Sequence, residues 1–149
     1  MSFTIRPAVE ADLVSLLELY AELHPDDPPL PPEVAGRTWT AMTRQDGRVV
    51  LVAETDGTLV GTVDCTVSPN LTRGASPHML VENVVVSAAH RRRGIGTGLL
   101  EAAVTLARSA GCYKVQLLSA RAEDAHSFYE SCGFRPLARG FRRYLREPS

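Results

Sequence analysis

Leu13, Leu16, Leu17, Tyr20 and Leu23 recur at helical spacing behind the acidic entry Glu10-Ala-Asp12, and predict a first amphipathic helix preceded by a short strand at Phe3 to Arg6. His24 to Pro32 holds five prolines and two aspartates, so it reads as a loop, and a weaker helix follows from Glu33 to about Arg44. Val49 to Glu54 and Leu59 to Val67 flank Thr55-Asp56-Gly57-Thr58. In the second run Leu59, Gly61, Val63, Cys65 and Val67 alternate with Val60, Thr62, Asp64 and Thr66, which predicts a hairpin. A turn-rich stretch from Ser68 to Pro77 leads into Met79 to Val86, too apolar to face water on both sides and so expected in mid-sheet. Helical spacing returns from Leu99 to Ser109, stopped by Gly111. A strand is expected from Tyr113 to Leu118, a short helix from Asp124 to Cys132 ended by Gly133, and strands at Phe134 to Pro136 and Phe141 to Leu145.

Length and composition narrow the picture. With 149 residues, 44% hydrophobic and 22% charged, the chain has the size and composition of one globular domain, with no repeat and no linker long enough to divide it. Cys65, Cys112 and Cys132 form no C-x-x-C pair, and the four histidines are scattered, so reduced thiols and no metal site are expected. No apolar run approaches the roughly 18 residues of a membrane span, and the expectation is a soluble cytoplasmic protein without membrane partners. The net charge of −1 argues against a protein built to cover nucleic-acid phosphate. Its distribution is uneven: residues 1–64 carry eleven acidic and four basic side chains, residues 65–149 six and twelve, so an anionic ligand belongs on the C-terminal half.

The richest segment is the apolar strand Val81 to Val86 entering a helix through His90-Arg-Arg-Arg-Gly-Ile-Gly-Thr-Gly98. Gly94, Gly96 and Gly98 allow tight turning and close approach of backbone N–H groups to a ligand, and Arg91, Arg92 and Arg93 add positive charge, which together describe a phosphate-holding loop. The plainer reading is a sharp turn beside a solvated basic face. A dinucleotide fingerprint would need a small residue at Leu99 and a Walker loop would need Gly-Lys-Ser/Thr; neither is present.

The spacing Arg91-Arg-Arg-Gly94-Ile-Gly96, followed later by Phe128-Tyr-Glu-Ser-Cys-Gly-Phe134, resembles the GCN5-related N-acetyltransferases (GNAT), and the order of elements is similar over nearly the whole chain. The resemblance implies a single-domain α/β fold, with a mixed, mostly antiparallel sheet of six to seven strands flanked by about four helices. It also implies acetyl-CoA as co-substrate, a pyrophosphate on the loop Arg91 to Thr97 (Ile95 included), and a homodimer. Leu80-Val-Glu-Asn-Val-Val-Val86 and Gly111-Cys-Tyr-Lys-Val115 look like the glucosamine-6-phosphate N-acetyltransferase branch. The asparagine often found three residues before the helix alanine is absent, Ala122 standing there ahead of Ala125.

Acetyl transfer to an amine needs a neutral amine, a held carbonyl, an oxyanion donor and a proton for the departing thiolate. Glu82, a carboxylate inside an apolar strand, is the candidate base, expected to be strengthened by loss of water; the resemblance places the family's base there too. Its alternative is a strand-end glutamate facing water. Tyr129 is the candidate acid toward the thiolate, against plain packing beside Phe128 and Phe134. Val84, Val85 and Val86 offer backbone groups to the pantetheine arm while their side chains serve the core. Cys112 and Cys132 are expected to be buried and inert, which favours direct transfer over a ping-pong route. Arg73 meets an anionic acceptor or is solvated, and His78 lines the acceptor site or is an exposed loop residue. The acceptor is read as a small-molecule amine, an amino sugar phosphate among them, or else a peptide amine; a third reading is a catalytically silent coenzyme A sensor. Nucleic-acid binding through Arg135, Arg139, Arg142, Arg143 and Arg146 is set against a charged edge strand, which is preferred.

Overall fold

Asp56 and Gly57 both adopt positive φ, 49° and 78°, the primed turn whose twist suits a tight hairpin, and they join β2 (Arg48–Thr55) to β3 (Thr58–Ser68). In the computed structural model, which describes residues 2–119 and 123–146, this hairpin is the centre of a five-stranded sheet. β1 (Thr4–Pro7) lies outside β2 and β4 (His78–Val86) outside β3, all antiparallel; β5 (Val115–Gln116) then runs parallel to β4. Among the described residues five helices accompany it: α1 (Leu13–Leu23), entered through a 3-10 turn at Glu10–Asp12, α2 (Pro32–Thr43), the single turn α3 (Thr72–Ala75), α4 (Ile95–Ser109) and α5 (Glu123–Ser131).

Strand alternation divides the core between the two faces. Leu99, Leu100, Ala103 and Ala107 of α4 are each 2% exposed or less and pack with Leu51, Val63, Cys65, Met79 and Val81. Val50 and Val52, the alternate positions of β2, meet Leu16 of α1 and Trp39 of α2 on the opposite face. Truncating a fully enclosed side chain such as Leu99 to alanine costs about 2–5 kcal/mol. Gly61 brings α4 close to the sheet, since a Cβ there would lie 3.0 Å from Leu99 and 3.1 Å from Ile95. The polar positions of β3 are covered as well: Thr62 is fully buried and Asp64 4% exposed.

The hairpin, the proline loop and the helices fall where the pattern predicts, with α4 starting earlier, at Ile95. The strand count does not: five are present among the described residues, against the six to seven expected. Phe134 to Pro136 and Phe141 to Leu145 form no strand. They pair with no strand of the sheet, and Phe141 and Leu145 stand 91% and 94% exposed. The expected strand at Tyr113 to Leu118 shrinks to Val115–Gln116, because β4 offers partners only at Met79 and Leu80. The fifth helix is α3, inside the stretch read as turns. Ala122 lies outside the described residues.

Candidate active site

Across the β3–β4 ladder Thr62 faces Val85 and Asp64 faces Glu82, so β4 holds one residue more than β3 between these pairs. The extra residue is accommodated at Asn83, whose φ of 52° is a left-handed conformation outside glycine's usual province. On its other side β4 pairs with β5 only as far as Leu80, short of the bulge. Beyond that point the outer edge of β4 has no strand partner among the described residues, and its N–H and C=O groups can accept an extended ligand as an added strand. Val85 is buried, while Val84 and Val86 pack half-buried against the α4 side of the core, so these residues offer backbone and not side chains.

The bulge also corrects the expectation for Glu82. Its side chain is exposed, not desolvated, and faces the α1 side of the sheet. Opposite it, Asp64 receives Nε and Nη2 of Arg48 at 3.0 and 2.6 Å. The hydrogen bonds to Asp64 hold the Arg48 guanidinium more firmly protonated, and the nearby Glu82 charge adds to this. Tyr20 of α1 borders the same cluster, where burial and then the Asp64 charge push its phenol up to about 12. The sequence pattern alone does not single out Asp64 or Arg48; the signal is a charge in the middle of an alternating strand.

The loop after β4 makes a 3-10 turn at Ala88–His90 and then passes Arg92 at φ 64° and Gly94 at φ 80° before α4 begins. Gly98 N–H donates to Gly94 O at 2.9 Å, so the amides of Ile95, Gly96 and Thr97 precede the first helical bond and Gly94 supplies no side-chain cap. With Arg91, Arg92 and Arg93 exposed beside them, these amides form a cradle for an anion. Ile95 is 1% exposed and contributes only its N–H. The three glycines do different jobs. Gly94 supplies the positive φ in open space, whereas a Cβ at Gly96 would lie 2.9 Å from Phe128 and one at Gly98 2.9 Å from Phe3. Gly98 therefore serves helix packing and not ligand approach. Glu22 of α1 was also missed: its Oε1 accepts the Ala88 N–H at 2.8 Å and anchors the start of the loop.

α5 seats Tyr129 beside this cradle. Phe128 closes on Gly96, and Cys132 Sγ lies 3.8 Å from Thr97 Oγ1. Tyr129 is half-buried in the cluster that includes Val84 and Val86, its ring 5.2 Å from that of Phe128 and 6.2 Å from that of Phe134. The ring is packed as the plainer reading expects, and the residue stays the candidate acid by its place beside the cradle. Burial pushes the Cys65 thiol up to about 12 and raises Cys112, which disfavours thiolates there. Cys112 and Cys132 are half-buried, less enclosed than expected. His78 is likewise half-buried, as the first residue of β4, and not an exposed loop residue. Arg73, exposed on α3, lies 5.9 Å from the Tyr113 ring centroid. Among the described residues no cluster of metal-ligating side chains occurs, and no helix is long and apolar enough to cross a membrane.

Comparison with known proteins agrees with this geometry. A profile of the acetyltransferase (GNAT) family matches residues 13–134. The chain is 36% identical over 140 residues to a protein of Trypanosoma brucei brucei named glucosamine 6-phosphate N-acetyltransferase, covering 93% of this chain and 92% of that one. A solved structure from Agrobacterium tumefaciens, provisionally described as an acetyltransferase, is 43% identical with a TM-score of 0.92, over 95% of this chain and 99% of its own. The fold also matches glucosamine-6-phosphate N-acetyltransferase of Arabidopsis thaliana, at 24% identity and a TM-score of 0.88, over 98% and 100% of the two chains.

Proposed function

Because this chain belongs to the acetyltransferase (GNAT) family, we propose that it is an acetyl-CoA dependent N-acetyltransferase whose acceptor is the amine of a small anionic molecule, an amino sugar phosphate. The observation that carries the reading is the bulged, partnerless edge of β4 running into the amide cradle of α4. The residues fit coenzyme A: the N–H groups of Ile95 to Thr97 and the charges of Arg91 to Arg93 suit its pyrophosphate, and the edge at Val84 to Val86 suits its pantetheine arm. When bound, acetyl-CoA supplies the activated acetyl group.

The chain's own groups do the rest. An alkyl amine is almost wholly protonated at neutral pH, and Glu82, exposed where the bulge opens the strand, takes that proton. A backbone N–H on the β4 edge meets the acetyl oxygen as it gains charge. Tyr129, beside the cradle, gives a proton to the sulfur as thiolate develops. The partly buried thiols support direct transfer. Two findings support an anionic acceptor: the name of the trypanosomal relative, and the cations Arg73 and Lys114, 5.9 and 5.3 Å from the Tyr113 ring centroid. His78 lines the entry to β4. Keeping both Glu82 and Tyr129 weighs against a silent sensor. A homodimer belongs to the same reading, with the exposed Phe141 and Leu145 as apolar surface for a second copy to cover.

The test is a panel of amines with acetyl-CoA, following free thiol release. Glucosamine 6-phosphate is expected to be acetylated in preference to glucosamine and to lysine peptides. Preference for a peptide or a neutral amine would overturn the acceptor class; absence of turnover with every amine would overturn the enzyme reading.

A further inference from the structure

Glu22 sits where its own helix disfavours it. It lies in the last turn of α1, which carries no basic residue, so its carboxylate meets the negative end of the helix dipole. Glu18, one turn earlier, adds a like charge at i,i+4. What offsets these two local penalties lies 66 residues away in sequence: Glu22 Oε1 accepts the Ala88 N–H at 2.8 Å. Ala88 opens the 3-10 turn Ala88–His90, and Ser87, a residue type suited to cap such a turn, makes no side-chain cap there. A side chain from α1 caps the turn in its place. The turn needs holding. His90 N–H donates to Ser87 O at 2.9 Å, but His90 Nδ1 is buried without a hydrogen-bond partner among the described residues, and Arg92 is left-handed at φ 64°. Both features cost stability. On the sheet side the segment is tied by Ser87 N–H to Val60 O at 2.8 Å and by Arg91 Nε to Val86 O at 3.3 Å. The Glu22 bond adds a tie from α1, which packs on the face of the sheet opposite α4.

We propose that Glu22 is a positioning residue for coenzyme binding: by capping the Ala88 amide it fixes the 3-10 turn from which Arg91 to Arg93 and the amides of Ile95 to Thr97 take their direction, so that the anion cradle is set before the ligand arrives. The proposal rests on the reading of that cradle as the pyrophosphate site and adds a residue outside the loop that sets it. A carboxylate near an anionic ligand repels it, so charge alone predicts that removing Glu22 tightens binding, and preorganisation predicts the reverse. Because the bond is exposed to solvent, the effect is modest in size.

The experiment compares wild type, Glu22→Ala, Glu22→Gln and Gly94→Val by calorimetry with coenzyme A, by melting temperature, and by kinetics with acetyl-CoA and the preferred amine of the panel above. Glu22→Ala is expected to weaken coenzyme A binding and raise KM for acetyl-CoA about fivefold, with kcat and KM for the amine within about twofold. Its melting temperature without ligand is expected to stay level or rise, since the change removes both local penalties. Glu22→Gln keeps an accepting oxygen and is expected to bind coenzyme A within about twofold of wild type. A merely structural role would lower the melting temperature of Glu22→Ala and worsen kcat and both KM values together, and that result overturns the proposal. Equal loss in Glu22→Ala and Glu22→Gln means that charge and not the cap is at work, and overturns it too. If Gly94→Val binds weakly while Glu22→Ala binds as wild type or tighter, the role of Glu22 falls and the cradle stands. If Gly94→Val binds as wild type does, the cradle falls and the role of Glu22 falls with it.

Discussion

Glu82 of β4 stands directly across the sheet from Asp64 of β3, and Arg48 grips Asp64 by two charged hydrogen bonds of 3.0 and 2.6 Å. Like charges on directly opposed strand positions destabilise a sheet. Here the Arg48 guanidinium cancels the Asp64 charge, and the Glu82 carboxylate remains exposed on the bulge side.

That arrangement yields the first prediction. Glu82→Gln keeps size and hydrogen bonding but cannot accept the proton of an ammonium. Turnover at pH 7 is expected to fall at least about tenfold, and part of it to return at pH 9, where more of the acceptor is already neutral. A variant with wild-type turnover and an unaltered pH–rate profile would remove Glu82 from the mechanism.

Tyr129→Phe separates the packing of this residue from the acid role proposed for it. The ring contacts with Phe128 and Phe134 survive the change, so coenzyme A affinity and thermal stability should stay close to wild type. The hydroxyl matters as thiolate charge develops, and kcat is expected to drop about tenfold or more, about 1.4 kcal/mol of barrier. If kcat stays within about twofold while the fold is intact, the proton comes from elsewhere.

The third prediction concerns the cradle. Gly96→Val is a poor probe, because its Cβ would collide with Phe128 at 2.9 Å and displace α5. Gly94 has φ of 80°, and nothing lies within 4 Å of the position a Cβ would take there, so Gly94→Val meets backbone strain alone. That strain is about 1–2 kcal/mol, and its relief tilts the amides of Ile95 to Thr97. Calorimetry is expected to show coenzyme A binding at least about tenfold weaker with the melting temperature only modestly reduced. Unchanged affinity would mean that the pyrophosphate lies elsewhere.

Helix and hairpin positions were legible because periodicity is a local property: α1, the Asp56-Gly57 turn and the β4-to-α4 transition all follow from nearest neighbours along the chain. The loop arginines and Tyr129 were legible for the same reason, as spaced words. What escaped depends on pairs distant in sequence. Arg48 meets Asp64 across the hairpin, Glu22 reaches the Ala88 amide from another element, and the bulge at Asn83 exists only when β4 is laid against β3. The desolvation expected at Glu82 failed on that same bulge. The C-terminal strands failed because alternation shows which residues would share a face, but a strand also needs an edge, and β5 is two residues long.

The last prediction tests the seating of α1, the helix whose Glu22 anchors the start of the loop between β4 and α4. The Asp12 carboxylate receives Arg6 Nη1 and Nη2 at 2.7 and 2.9 Å and the Val9 N–H at 2.8 Å. The hydrogen bonds from Arg6, more than offsetting the cost of burial, hold its carboxyl below the ordinary range. A group more acidic when folded stabilises fully above its unfolded value, about 3.9, and loses that contribution as pH falls through the lower folded value. Asp12→Asn should therefore cost stability at pH 7, and the gap to wild type should close below about pH 4. Because the Arg6 side chain is 34% exposed, solvent screening limits the neutral-pH loss to roughly 1–2 kcal/mol. Urea midpoints of both proteins at pH 7, 5 and 3 measure the gap. A difference that stays constant from pH 7 to 3 would mean that Asp12 contributes through shape and not through charge.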